Sequence, residues 1–206
     1  MPKRICLFGG TFDPIHNAHL RIAQEALERC RLDRVLFVPA GNPPHKDSAG
    51  LTPYEDRFRM VELACGPYAA FEASRLEKGA QRSYTIDTVK RVREPLAPDD
   101  RLFFLIGADA FDEIETWKGW QELIRLVEFI VVTRPGGEYK LPDGACVHQL
   151  TGLALPVSSS GIRSRLAKAG PTPELPKSVR AYIEQRGLYG FGIQRTAMQA
   201  KTPAPL

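Results

Sequence analysis

Ile5-Cys6-Leu7-Phe8-Gly9-Gly10-Thr11-Phe12-Asp13-Pro14-Ile15-His16-Asn17-Ala18-His19 decides how this chain is read. Residues 5–8 are continuously apolar and short, the pattern of a buried strand. Two glycines follow, so the backbone can approach a neighbour or a ligand with no Cβ in the way. From 17 to 29, Leu20, Ala23 and Leu27, with Cys30 beyond, recur near helical spacing. The chain therefore opens strand, tight turn, amphipathic helix.

The same alternation continues outward. A second strand at 35–38 ends at Pro39, and a loop rich in Pro and Gly occupies 41–50. Thr52 followed by Pro53 predicts an N-cap with Pro at the first helical position, opening a helix to about Cys65. Strands are expected at 69–73, 102–106, 129–133 and 147–150, the fifth stopped by Arg134-Pro135-Gly136. Helices are expected at 84–93, 108–115, 120–127, 160–168 and 177–185. Strand–helix alternation implies parallel strands joined by crossovers. The fold class is α/β, a doubly wound parallel sheet of Rossmann-like form, with the last helices packed across the ligand side. Residues 1–190 form one domain, and 191–206, with no apolar period, form a flexible tail.

Of the 206 residues 43% are hydrophobic and 25% charged, ordinary for a globular protein, and the net charge is only +4. No run of five or six Lys/Arg exists, so a nucleic-acid partner is not expected. No apolar run approaches the roughly 18 residues of a membrane span, and the 5–8 stretch is too short for a signal-peptide core. A cytoplasmic location is expected. Cys6, Cys30, Cys65 and Cys146 lie far apart, which predicts reduced, mostly buried thiols without a disulfide framework or zinc site.

In an open parallel sheet the ligand crevice lies beyond the carboxyl ends of the strands. Segments 9–19, 39–46 and 107–117 fall there. The helix after Gly9-Gly10 aims free N–H groups at that space, a setting for phosphate. His16 and His19 are three apart and can project from one side of its first turn. Zinc is a rival use of this pair, but third and fourth ligands are not evident nearby. Ser158-Ser159-Ser160 precede Ile162 as an N-cap that can hold a phosphate, and Arg163 can reach the same anion. Lys46 suits a phosphate as a mobile point charge, and His45 either does the same or faces solvent. Gly107 permits close approach. Asp109 either accepts from ribose hydroxyls or caps its helix. Trp117 offers a flat face to an aromatic ring, whereas Trp120 reads as core. Arg134 either touches a nucleotide or turns the chain.

The first segment resembles the signature of the nucleotidyltransferases that join a nucleotide to a phosphate with loss of pyrophosphate, and Ser158-Ser159-Ser160-Gly161-Ile162-Arg163 resembles their second. With Val38-Pro39-Ala40-Gly41-Asn42-Pro43-Pro44-His45-Lys46, Ser83-Tyr84-Thr85-Ile86-Asp87-Thr88, Leu105-Ile106-Gly107-Ala108-Asp109-Ala110 and Trp117-Lys118 between them, the set is similar to the bacterial nicotinate-nucleotide adenylyltransferase family. The resemblance runs from about Lys3 to Tyr189. Ala18 stands where a glycine is common and Ser160 where a threonine is.

The resemblance implies ATP and nicotinate mononucleotide as substrates, deamido-NAD and pyrophosphate as products, and Mg²⁺ carried on ATP. It implies His16, His19 and Arg163 as catalytic residues. ATP would be bound by these together with Gly9, Gly10, Thr11, Phe12, Gly107, Asp109, Arg134, Ser159 and Ser160. The pyridine nucleotide would lie on Thr11, Lys46, Ser83, Tyr84, Thr85 and Trp117. Two alternatives stand beside it: transfer of an adenylyl or cytidylyl group to another phosphorylated acceptor, nicotinamide mononucleotide first, and a nucleotide-binding regulator without turnover. A homo-oligomer stays open.

Overall fold

A computed structural model describes residues 2–42, 50–79, 82–134, 136–152 and 156–191. The tail expected from 191 therefore lies outside the described residues from 192 on, as do Lys46 and His45. Six strands, β1 (Arg4–Gly10), β2 (Arg34–Pro39), β3 (Phe71–Ala73), β4 (Arg101–Gly107), β5 (Glu128–Val132) and β6 (Val147–Leu150), form one sheet in the order 3-2-1-4-5-6. Every pairing is parallel. The helices are α1 (Asn17–Arg29), α2 (Tyr54–Cys65), α3 (Thr85–Arg93), α4 (Ala108–Asp112), α5 (Trp120–Leu126), α6 (Ser159–Ala167) and α7 (Lys177–Arg186). Short 3₁₀ turns occupy Ile114–Thr116 and Leu188–Gly190.

The central strands are buried on both sides because their residues alternate between two cores. Cys6 and Phe8 of β1 join Phe103 and Leu105 of β4 in the core covered by α1, α2, α6 and α7. Ile5 and Leu7 join Leu102, Phe104 and Ile106 in the core covered by α3, α4 and α5. Each fully buried aliphatic or aromatic side chain contributes about 1.5–3 kcal/mol of transfer free energy. Ala23 and Ala26 of α1 are both 0% exposed, and small side chains there let the helix lie close on the sheet.

Two expectations are corrected. Thr52 does not cap α2: Pro53 sits at the N-cap with φ −48° and ψ 143°, and Tyr54 is the first helical residue. The Thr52 N–H donates to Asp13 Oδ2 at 3.3 Å. The last helices do not lie across the ligand side as a pair. Helix α7 packs on the first core face, tied to α2 by Tyr182 Oη donating to Asp56 Oδ1 at 2.7 Å, because its apolar residues Val179 and Ile183 need that face. The N-terminus of α6 reaches the ligand side, and Tyr189 in the turn after α7 reaches the loop after β1. No helix among the described residues is long and apolar enough to cross a membrane.

Candidate active site

Strand order reverses direction between β1 and β4, which places the crevice there, beyond Gly10 and Gly107. Register aligns the exits: Gly10 pairs with Pro39 and Gly107 with Val132, so the segments after β1, β2, β4 and β5 leave the sheet at one end. An ideal Cβ on Gly107 would meet no atom within 4 Å, so its face is open space. Gly107→Val should therefore fold, at a cost of about 1 kcal/mol because Gly107 is the N-cap of α4. It should raise KM for ATP roughly tenfold or more by filling the crevice. An unchanged KM would remove Gly107 from the nucleotide site. Gly41 is structural: a Cβ there would lie 2.1 Å from the Glu77 carbonyl oxygen.

His16 is the N-cap of α1 and only 4% exposed, and His19 is half-buried two helical positions after Asn17. Their rings stack with centroids 3.7 Å apart and planes at 21°. The His16 backbone N–H donates to His19 Nδ1 at 3.2 Å. That bond makes Nδ1 an acceptor, so the neutral ring of His19 carries its proton on Nε2, available as a donor. Phe8 and Phe12 meet the same ring edge-on at 5.9 and 5.1 Å, fixing its plane. The Nδ1 of His16 is buried without a hydrogen-bond partner among the described residues. A buried polar atom left unsatisfied is costly and fits a site completed by a ligand.

Burial lowers the pKa of His16 to about 4, partly offset by Glu174, and burial followed by the neighbouring His16 lowers that of His19 well below its usual value. Both rings are neutral at pH 7. The unfolded chain, with histidines near 6.5, binds more protons than the folded one in this window. The associated stability is complete above pH 6.5 and is lost as pH falls from there through about 4. The urea midpoint should drop over that interval, and His16→Gln should flatten the drop; an equally steep variant would show that other groups cause it.

The two signature segments meet although far apart in sequence. Ser159 Oγ donates to the Pro14 carbonyl at 3.0 Å, and Arg163 Nη1 donates to the Asp13 carbonyl at 2.8 Å. The helix cap itself is Ser158, whose Oγ accepts from the Gly161 N–H at 3.1 Å, leaving Ser160 exposed beside it. Asp13, 2% exposed, is a hub that sequence reasoning missed. Its Oδ1 accepts from Tyr189 Oη at 2.7 Å and its Oδ2 from Thr52 N. Burial, then the Asp13 charge, pushes the Tyr189 phenol upward, so it stays a donor. Arg57, 1% exposed, donates through Nη1 to the Thr11 carbonyl at 2.8 Å and through Nε to the Thr52 carbonyl at 2.9 Å. A signal for Arg57 existed: it stands in the apolar stripe of α2 with Val61 and Ala64, where an arginine must have buried acceptors.

At the far side of the crevice, α3 begins after Tyr84 with no side-chain cap. Ser83 Oγ accepts from the N–H groups of Gly41 and Asn42, each at 3.0 Å, so it ties the loop after β2 to this helix start. Lys118 Nζ lies 4.2 Å from the Tyr84 ring centroid, and Trp117 meets Phe104 edge-on at 6.3 Å. Segments 83–88 and 117–119 are thus brought together. Trp120 opens α5, is half-buried, and packs against the second core, as Trp117 also does. Asp109 and Arg134 are exposed; Arg134 makes no side-chain bond among the described residues.

The family model described as cytidylyltransferase-like matches residues 7–165. The chain belongs to this family. A relative from Solibacter usitatus, named "probable nicotinate-nucleotide adenylyltransferase", is 53% identical, covering 90% of this chain and 99% of that one. A relative of the same name from Shouchella clausii is 47% identical over 91% and 97%. The structure of Plasmodium falciparum nicotinic acid mononucleotide adenylyltransferase complexed with NaAD superimposes with a TM-score of 0.76 over 93% of this chain and 99% of that one, at 22% identity. That likeness shows the shared fold. As a member of the cytidylyltransferase-like family, the chain carries both signature segments at the crevice.

Proposed function

We propose that this protein transfers the adenylyl group of ATP to nicotinate mononucleotide, forming deamido-NAD and pyrophosphate, as a step of NAD biosynthesis in the cytoplasm. The observation that carries the reading is the stacked His16–His19 pair at the N-terminus of α1, with Arg163 held against the same loop. The relatives named for this activity support the choice of substrates. The mononucleotide's 5′-phosphate attacks the α-phosphorus of ATP, that P–O bond forms, the bond to the β-phosphate oxygen breaks, and pyrophosphate leaves. The nucleophile is already anionic near neutral pH, so the protein's task is alignment and charge stabilisation. His19 Nε2–H donates to the α-phosphate and His16 to the ATP phosphates. Arg163, Ser159 and Ser160 hold the β- and γ-phosphates with the α6 N-terminus. Gly9, Gly10, Thr11, Phe12 and Gly107 let the nucleotide lie close, with Asp109 and Arg134 at its margin.

The side chains around the phosphate space are imidazole, hydroxyl and guanidinium groups. They fit Mg²⁺ carried by the triphosphate and its waters, which would neutralise phosphate charge, and not a protein cage of carboxylates.

The pyridine ring stacks on Trp117, with Tyr84, Thr85 and Ser83 at the start of α3 reading its substituent and Lys46 on the mononucleotide. A ring carboxylate accepts from the uncapped N–H groups of α3, whereas a carboxamide brings an NH₂ against donors. Losing that charge-assisted bond costs about 1.5–3 kcal/mol. Pyrophosphate release under matched ATP and Mg²⁺ should show kcat/KM roughly ten- to a hundredfold higher for nicotinate than for nicotinamide mononucleotide. Equal values would sink the acceptor assignment, and ATP binding without release would mean a regulator.

A further inference from the structure

We propose that Glu128, Cys146 and His148 form a site for a thiophilic divalent metal ion of the zinc class, at the end of the sheet opposite the nucleotide crevice. Glu128 opens β5, Cys146 immediately precedes β6, and His148 is the second residue of β6. His148 pairs with Ile130, and Glu128 stands two residues before Ile130, so strand alternation puts both on one face. The Cys146-Val147-His148 spacing puts the thiol and imidazole on one face of the strand in the same way. The Phe129 N–H donates to the Cys146 carbonyl at 2.8 Å, which fixes the thiol beside the carboxylate.

The donor atoms converge. Glu128 Oε2 lies 2.7 Å from His148 Nε2 and 3.7 Å from Cys146 Sγ, and all three donors fall within 4.8 Å of one another. Tetrahedral zinc with bonds of about 2.0–2.3 Å needs its ligands roughly 3.3–3.8 Å apart, so small side-chain rotations suffice. An outer shell is in place. Arg101 donates to both Glu128 oxygens, with its Nε on Oε1 at 2.5 Å, so Oε2 can turn to a metal while Oε1 keeps its arginine. Phe103 packs against the His148 ring at 5.7 Å. Loading breaks the Cys146 S–H bond, releases that proton to solvent and forms a metal–sulfur bond. The thiolate and carboxylate then balance the dication, and solvent takes the open position. A thiolate–imidazole set selects zinc, cobalt or copper over Mg²⁺. Since β6 is an edge strand, the metal would pin it to β5.

Co²⁺ titrated into the full chain, first stripped with chelator, should bind at one equivalent and show a thiolate-to-metal charge-transfer band with intense visible absorption. Zn²⁺ should displace it. Cys146→Ser and His148→Ala should each weaken binding at least about tenfold, abolish the Zn²⁺-induced rise in thermal midpoint, and leave pyrophosphate release unchanged. Cys146 is exposed while Cys6, Cys30 and Cys65 are buried, so alkylation of the native protein reports Cys146 even if a variant fails to fold. Zn²⁺ should slow that alkylation and Mg²⁺ should not. Absence of the thiolate band, undiminished binding in Cys146→Ser, or alkylation indifferent to Zn²⁺ would each overturn the site.

Discussion

His19→Ala should lower kcat by about 10²–10³, the loss typical of one donor aimed at developing negative charge. The basis is geometric. With His19 Nδ1 committed to the His16 N–H, the ring offers its Nε2 proton outward from a plane fixed by Phe8 and Phe12. Because the ring is neutral, the donor costs no bound proton before phosphate arrives. KM for either substrate should move by much less than kcat, since the contact strengthens chiefly in the transition state. Circular dichroism and the urea midpoint should stay near those of the parent. Turnover within a few-fold of wild type would show that another group stabilises the α-phosphate.

Asp13→Ala should have the largest effect on stability, a loss of about 3–5 kcal/mol in urea unfolding. The substitution leaves the buried Arg57 guanidinium without its compensating charge and strips the acceptor from Tyr189 Oη and Thr52 N–H. Tyr189→Phe removes the hydroxyl's bond to Asp13 and its weak contact with Met60 Sδ while leaving the Asp13 charge in place, and should cost about 1–3 kcal/mol. Asp13→Asn should fall between the extremes, keeping an acceptor and losing the charge. These variants also carry a readout on function: the Asp13 carbonyl holds Arg163, so a loosened loop should raise KM for ATP more than KM for the mononucleotide. A loss below about 1 kcal/mol for Asp13→Ala would mean that Arg57 is satisfied by carbonyls alone.

The sequence by itself determined the alternation of strands and helices, the parallel sheet, and the two segments that carry phosphate chemistry. These rest on local signals: the 5–8 apolar run, the period from Leu20 to Leu27, and serines standing where a helix must begin. Helix α1 matches its expected bounds at 17 and 29 for this reason. The start of α2 moved by one residue: Pro53 and not Thr52 stands at its N-cap, and the Thr52 N–H is paired with the buried Asp13 carboxylate. Nothing local in the sequence marks Tyr189, which follows Gly187-Leu188 with a left-handed backbone at φ 58°, and its hydroxyl reaches a residue 176 positions earlier. Only the tertiary structure decided which polar groups are spent on one another and which remain for a ligand. Ser159 and Ser83 are spent in part on the protein's own backbone, whereas His16 Nδ1 is left unsatisfied. Periodicity fixes the face on which a side chain lies, because that depends on neighbours three or four residues away. Pairing between groups more than a hundred residues apart depends on the path of the whole chain, and a buried donor takes whichever acceptor that path brings within about 3 Å.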